Sequence, residues 1–408
     1  MLKRIAPDQL RLGMYIQEIP GPWMNHPFWR GSFKLEKLED LKILQSGNVE
    51  KIIICTTKGS DIVSPQELPL SVPAASEPPA PVGKPVAARI NLQISAQQER
   101  TTAARVLTSS KKAIMTMFNE TRMGKAVDIN QAMPLVQEIT ASVKRNSGAL
   151  ISLARLKNAD DYTYMHSVAV CALMIALAHK LGLSVEETRQ AGLAGLLHDI
   201  GKMAIAPDIL NKPGKLTEDE FISVKKHTLA GHDILRSVQG IGEVALDVSL
   251  HHHEKIDGSG YPFNLKGGEI SLFAKMGAVC DVYDAITSNR PYKTGWEPSH
   301  SIKRMAVNKG HFDESILEAF IKSVGIFPTG SCVLMLSGKV GIVVDQHPAS
   351  LLTPTVKVFF STHTMSMIPI EVIDMASVHN NDKIVSYADR VKLNLPDLET
   401  IWNSGTML

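Results

Sequence analysis

The segment at residues 64–86, SPQELPLSVPAASEPPAPVGKPV, constrains the fold of this chain more than any other. Proline fixes φ and removes a backbone donor, so this density of prolines forbids both a helix and a central strand. It predicts an extended linker. A chain of 408 residues interrupted in this way divides into units on either side, in line with a length typical of two or three domains.

Before the linker, LEKLEDLKILQSGN has the spacing of a short amphipathic helix that stops near Gly47-Asn48, and VEKIIICTT alternates like a strand. Residues 1–64 are therefore expected to form a small α+β domain, with residues 65–90 as the linker. Residues 91–148 carry apolar side chains three and four apart in VLTSSKKAIMTMF and MPLVQEITASVKR. They are expected to be a helical connector that either leads into the next domain or forms a homodimer contact. Residues 149–328 are the longest helical stretch. Within it, Ser184 with Glu187 and Thr217 with Glu220 each read as a capping box. Residues 329–395 turn β-rich, with VLMLSGKVGIVVDQ and TVKVFFSTHTMSMIPIEVI reading as hairpins and Ser337-Gly338 at one turn. The expected class is mainly α: an all-helical central domain, a small α+β domain before it and a β-rich appendage after it.

Composition narrows the function. A formal net charge of +2 gives no field that would gather a nucleic-acid polymer. The four cysteines, Cys55, Cys171, Cys280 and Cys332, form no CxxC pair, which argues against a thiolate zinc site and fits a reducing compartment. The opening MLKRIAPDQL lacks the apolar core of a secretory signal. The apolar run at residues 168–178 is too short to span a bilayer. The expectation is a cytoplasmic protein with no membrane span.

Eight of the 14 histidines fall between His166 and His253. His198-Asp199 closes the apolar run AGLAGLL. His227 follows two lysines, and His251, His252 and His253 are consecutive. Asp199, Glu254, Asp281 and Asp284 accompany them. An imidazole and a carboxylate at the end of a buried helix need compensation, and a cation supplies it. Neutral imidazole with carboxylate and no sulfur suits Fe, Mn, Zn or Ni. Asp199 directly after His198 is suited to bridge two ions. In HHHEKIDGSGYP, Gly258 and Gly260 give backbone freedom directly after these ligands, as a substrate-facing loop requires. Arg290 and Lys293 add a planar fork and a point charge for phosphate or base.

HDIGK at residues 198–202, HHE at 252–254 with its GYP at 260–262, and Asp281 and Asp284 followed by Arg290 and Tyr292-Lys293 together resemble the HD-GYP family, a branch of the HD hydrolase superfamily. The resemblance covers residues 149–328. It implies a metal-dependent phosphodiesterase that hydrolyses cyclic di-GMP, a bacterial second messenger, to pGpG or GMP. It implies metal ligation by His166, His198, Asp199, His227, His252, His253 and Asp281, with His251 outside the ligand set. Lys202 corresponds to a lysine that contacts the scissile phosphate, and Asp284 and Asp160 to carboxylates that orient ligands or handle protons. Tyr261, Arg290 and Lys293 correspond to substrate contacts. Some family members place a glutamate four residues before the first histidine and hold three metals; Tyr162 stands there in this chain. A phenol is a poor ligand at neutral pH, so two divalent transition-metal ions are expected, Fe or Mn before Ni or Zn. Docking of a diguanylate cyclase (GGDEF) domain through the GYP loop is a further reading compatible with this one. Residues 1–64 resemble a domain of unknown role that precedes HD-GYP domains. The alternatives are an HD-superfamily enzyme acting on another nucleotide, and a catalytically weak cyclic di-GMP receptor using the same pocket.

Overall fold

The computed structural model describes residues 2–18, 33–36, 38–46, 51–60, 96–155, 162–288, 295–347, 350–390, 392–396 and 401. The Pro-rich stretch, Asp160, Arg290 and Lys293 lie outside the described residues. The chain divides into two compact units, Met1–Leu92 and Gln93–Leu408.

In the first unit, strands β1 (Leu2–Ile5), β2 (Tyr15–Glu18), β3 (Phe33–Lys34) and β4 (Ile52–Cys55) form an antiparallel sheet in the order β1-β4-β2-β3. Helix α1 (Leu38–Ser46) contributes Leu41 and Leu44 to the core beneath it, with Ile5, Leu10, Met14, Ile16, Leu35, Ile52 and Ile54. Alternation in β4 explains its place at the centre: Ile52 and Ile54 point to the core.

The second unit begins with α2 (Ala96–Arg122), α3 (Ile129–Arg155), α4 (Tyr162–Leu181) and α5 (Val185–Leu197). The helical connector expected at 91–148 corresponds to α2 and most of α3. Ile114 and Phe118 of α2 and Val136 and Ile139 of α3 share one core with Val168, Ala172 and Ile175 of α4 and Leu193, Leu196 and Leu197 of α5. The apolar periodicity of α2 and α3 is thus satisfied within the chain. The expected boundary at 148–149 falls inside α3, just past a kink at Asn146 (φ −161°, ψ 107°). There the Asn146 amide accepts from the Ala149 N–H at 3.1 Å and donates to Asp345 at 3.1 Å, where two helical segments meet at the bend.

Helix α4 meets the length and apolarity of a membrane span over Thr163–Leu181, yet most of it is buried between its neighbours. Helix α5 starts at a reciprocal capping box. The Glu187 N–H donates to Ser184 Oγ at 3.2 Å and the Ser184 N–H donates to the Glu187 carboxylate at 2.8 Å. A 3-10 turn (Ile200–Ala204) follows. Then come α6 (Pro207–Leu210), α7 (Glu218–Lys225, capped by Thr217 and Glu220), α8 (His227–Arg236), α9 (Glu243–His251), α10 (Leu272–Thr287), α11 (Pro298–Val307) and α12 (Glu314–Val324). Strands β5 (Cys332–Met335), β6 (Lys339–His347), β7 (Ser350–Ser361), β8 (Ser366–Asp374) and β9 (Ile384–Tyr387) close the chain as an antiparallel sheet ordered β8-β7-β6-β5-β9. Ser337-Gly338 lies at the β5–β6 turn, with Gly338 at φ +75°. The architecture is that of a helical domain with a small sheet at each end of the sequence.

Candidate metal centre

Five separate elements supply the site. His166 sits in the first half of α4, His198 and Asp199 at the end of α5, His227 at the start of α8, His252 and His253 just past α9, and Asp281 and Asp284 in α10. All are buried except His253, whose side chain is 24% exposed. Gly201 makes the convergence feasible. A Cβ there would lie 1.9 Å from the His227 carbonyl and 2.4 Å from the Gly231 nitrogen, so the 3-10 turn approaches α8 backbone to backbone.

Backbone carbonyls set the tautomers. His198 Nδ1 lies 2.8 Å from the Gly195 carbonyl, His227 Nδ1 2.6 Å from that of Val224, and His252 Nδ1 2.8 Å from that of Val248. A carbonyl only accepts, so each Nδ1 carries the proton and each Nε2 presents a lone pair inward. His166 follows the same logic with a carboxylate: its Nδ1 donates to Asp284 Oδ2 at 2.6 Å.

Asp199 stands at the centre. Its Oδ2 lies 3.5 Å from His166 Nε2 and 3.3 Å from His198 Nε2. Its Oδ1 lies 3.4 Å from His227 Nε2 and 3.8 Å from His252 Nε2. Two donor groups result, His166-His198-Asp199 and Asp199-His227-His252-His253, each with ligand atoms within 4.8 Å of one another. Asp281 reaches both, with Oδ1 3.0 Å from His166 Nε2 and Oδ2 3.8 Å from His253 Nδ1. Lys202 Nζ closes on Asp199 Oδ2 at 2.5 Å.

Protonation follows from burial and pairing. Burial acts to raise the Asp199 carboxyl, but Lys202 and His198 outweigh it and hold Asp199 well below the usual range. Burial likewise acts to raise the Asp281 carboxyl, but its His166, His253 and His198 neighbours outweigh it and hold Asp281 well below the usual range. Burial lowers His227 and His252, and takes His253 down to about 3. Neutral rings and ionised carboxylates are the forms that bind cations. His198 Nε2 and Asp199 Oδ1 are fully buried without a hydrogen-bond partner. Such orphaned acceptors are costly by themselves, and divalent ions would satisfy them. The residues fit a metal centre of nitrogen and oxygen ligands.

The loop after His253 forms one wall. Tyr261 stacks on His253, with ring centroids 4.8 Å apart and planes at 30°, and Lys225 Nζ lies 5.3 Å from the Tyr261 ring centroid. His251 points elsewhere: its Nδ1 is 2.8 Å from Asp247 Oδ1. Glu254, grouped by sequence with the metal-type carboxylates, stands outside both donor groups and holds the loop backbone instead. The carbonyls of Gly195, Val224 and Val248 were not legible as site groups, although each precedes its histidine by three or four residues along the chain, the spacing that brings a ring back to a backbone acceptor.

A helical domain with this His/Asp set defines a metal-dependent hydrolase of the HD class. Residues 137–316 match the HD domain family, and residues 2–132 match a domain of unknown function, DUF3391. Over 403 residues the chain is 50% identical to the cyclic di-GMP phosphodiesterase PA4108 of Pseudomonas aeruginosa, covering 98% of this chain and 96% of that protein. It is 38% identical over 199 residues to the cyclic di-GMP phosphodiesterase response regulator RpfG of Xanthomonas campestris, covering 47% of this chain and 53% of that protein. It is 37% identical over 165 residues to the 3'3'-cGAMP-specific phosphodiesterase 1 of Vibrio cholerae, covering 40% of this chain and 38% of that one. The chain belongs to the HD-GYP family of phosphodiesterases, with the DUF3391 domain at its N-terminal side.

Proposed function

We propose that this protein is a cytoplasmic phosphodiesterase that hydrolyses cyclic di-GMP to pGpG and then to GMP, using two divalent transition-metal ions, Fe or Mn before Ni or Zn. One observation carries the reading: the two oxygens of Asp199 face separate histidine groups, His166 with His198 and His227 with His252. Identity of 50% along nearly the whole chain to a cyclic di-GMP phosphodiesterase supports the substrate.

In this reading His166, His198, Asp199 and Asp281 would hold one ion, and Asp199, His227, His252 and His253 the other. Bound divalent ions would supply Lewis acidity toward the phosphate and make water nucleophilic near neutral pH. The chain's own groups do the rest. Lys202 sets its ammonium beside Asp199 and neutralises charge on the non-bridging phosphate oxygens. Asp284 keeps the His166 Nε2 lone pair turned inward and is the described carboxylate assigned to proton handling; Asp160 is the alternative. Tyr261 forms a flat wall for a base, while Arg290 and Lys293 are assigned to the guanine and phosphate. The GYP loop, where Phe263 is 54% exposed, is the surface assigned to a docking GGDEF domain.

The test is product analysis on the purified full chain, with cyclic di-GMP and 3'3'-cGAMP in parallel. Conversion of cyclic di-GMP, abolished together with metal binding in His198→Ala and Asp199→Ala, is expected. Full turnover in both variants would overturn the site, and turnover of 3'3'-cGAMP alone would overturn the substrate. Metal analysis after anaerobic purification is expected to give two ions per chain; three would overturn that count.

A further inference from the structure

Glu254 is a buried carboxylate, 2% exposed, next in sequence to His253. Both of its oxygens are engaged by backbone: Oε1 accepts the Phe263 N–H at 2.7 Å and Oε2 accepts the Leu265 N–H at 3.0 Å. The GYP loop wraps around this carboxylate. The Tyr261 N–H donates to the His253 carbonyl at 3.2 Å, and the Asn264 amide, on a residue at φ +59°, donates to the Gly260 carbonyl at 2.5 Å. Gly260 passes so close that a Cβ would lie 2.4 Å from the Lys255 nitrogen and 2.5 Å from the Glu254 Cα. The other arm of the loop is tied down independently, through the Ile256 and Asp257 N–H groups donating to the carbonyls of His311 and Gly310.

We propose that Glu254 is a positioning residue for the hydrolysis: its carboxylate pins residues 263–265 and so holds the Tyr261 ring flat against His253 as the wall of the substrate pocket. A carboxylate is suited to this, because two converging N–H donors can both be accepted only by a group with an acceptor on each arm. A glutamine would accept one of them and turn its own N–H₂ toward the other. With both oxygens committed to backbone, Glu254 is not a metal ligand, although it adjoins one. It acts on substrate only through Tyr261. Its kinetic consequence rests on the cyclic di-GMP reading above; its effect on the loop does not.

The experiment uses the metal-loaded full chain with Glu254→Gln, Tyr261→Ala and the double variant. Hydrogen exchange without substrate is expected to speed up in the peptide holding residues 261–265 of Glu254→Gln by about tenfold, the scale of one lost hydrogen bond, with metal content unchanged. With cyclic di-GMP, KM is expected to rise about tenfold at nearly constant kcat. Tyr261→Ala should raise KM similarly, and the double variant should be no worse than the poorer single one. Unchanged exchange in Glu254→Gln, lost metal, or effects that multiply in the double variant would overturn the proposal. Should Glu254→Gln not fold, Tyr261→Ala still decides: an unaltered KM overturns it. Absence of turnover in the parent protein, with exchange altered as expected, would instead count against the substrate reading and leave the loop assignment standing.

Discussion

His166 and Asp284, 118 positions apart in the chain, form a 2.6 Å hydrogen bond between Nδ1 and Oδ2 inside the protein. Burial alone would lower the His166 pKa, but the Asp281 and Asp284 carboxylates raise it. Asp284 also accepts from Ser288 Oγ at 3.1 Å, so its own orientation is held. The bond leaves only Nε2 of His166 to face Asp199 and Asp281.

Replacing Asp284 by Asn should therefore weaken the centre without dismantling it. An amide can present its oxygen to the imidazole but lacks the charge that makes Nε2 basic. The expected loss is about 10- to 100-fold in metal affinity or activity, the usual effect of removing a group behind a ligand. Metal titration of the purified variant checks this; an affinity equal to that of the parent would show that Asp284 does not tune His166.

Removing residues 1–92 should leave hydrolysis intact. Every described donor of the metal centre lies in Gln93–Leu408, a compact unit with its own core. The cut must spare α2, because Ile114 and Phe118 are fully buried in that core. Truncation at residue 92 is expected to give a folded, active protein, and truncation past α2 an unstable one. Thermal melting and product analysis of both distinguish these outcomes.

Arg290→Ala should impair cyclic di-GMP binding far more than metal content. Arg290 lies nine positions beyond Asp281 and lacks any atom suited to ligate a cation. Loss of a charge-assisted contact corresponds to about 1.5–3 kcal/mol, or about ten- to a hundredfold in affinity. Arg290→Lys should recover little of it, since an ammonium cannot reproduce the planar fork. Calorimetry on metal-loaded protein is the check, and unchanged affinity in Arg290→Ala would remove this residue from the site.

Asp313 offers a test of stability against pH. It caps α12, accepting from the Ser315 and Ile316 N–H groups at 3.0 and 3.2 Å, and pairs with Lys275 at 3.2 Å. Burial acts to raise its pKa, but the hydrogen bonds from Ser315 and Ile316 and the Lys275 charge bring it below the ordinary value. A carboxyl lowered on folding contributes stability above its unfolded pKa and loses it as pH falls through the folded value. Asp313→Ala should thus cost about 0.5–2 kcal/mol at pH 7, and the gap to the parent should narrow below about pH 4. Paired melting curves at pH 7 and pH 3 measure it; a gap that widens in acid would contradict the assignment.

The donor types of the candidate centre and the local elements could be read along the chain alone. His198-Asp199 after an apolar run, the consecutive histidines and the aspartates of α10 were legible because ligand type and helical spacing are local properties. So were the capping boxes at Ser184 and Thr217, where a side chain and its backbone partner lie three residues apart. What depends on distant segments meeting came with the fold. It joined α2 and α3 to the core of α4 and α5, which periodicity left open because an apolar stripe does not name its partner. It turned the two oxygens of Asp199 toward different histidines, through an approach of the 3-10 turn to α8 that only a glycine at position 201 permits. And it separated Glu254 from the carboxylates around it. In sequence it is one more acid beside a histidine, whereas in the fold both of its oxygens are taken by the backbone of the loop it holds.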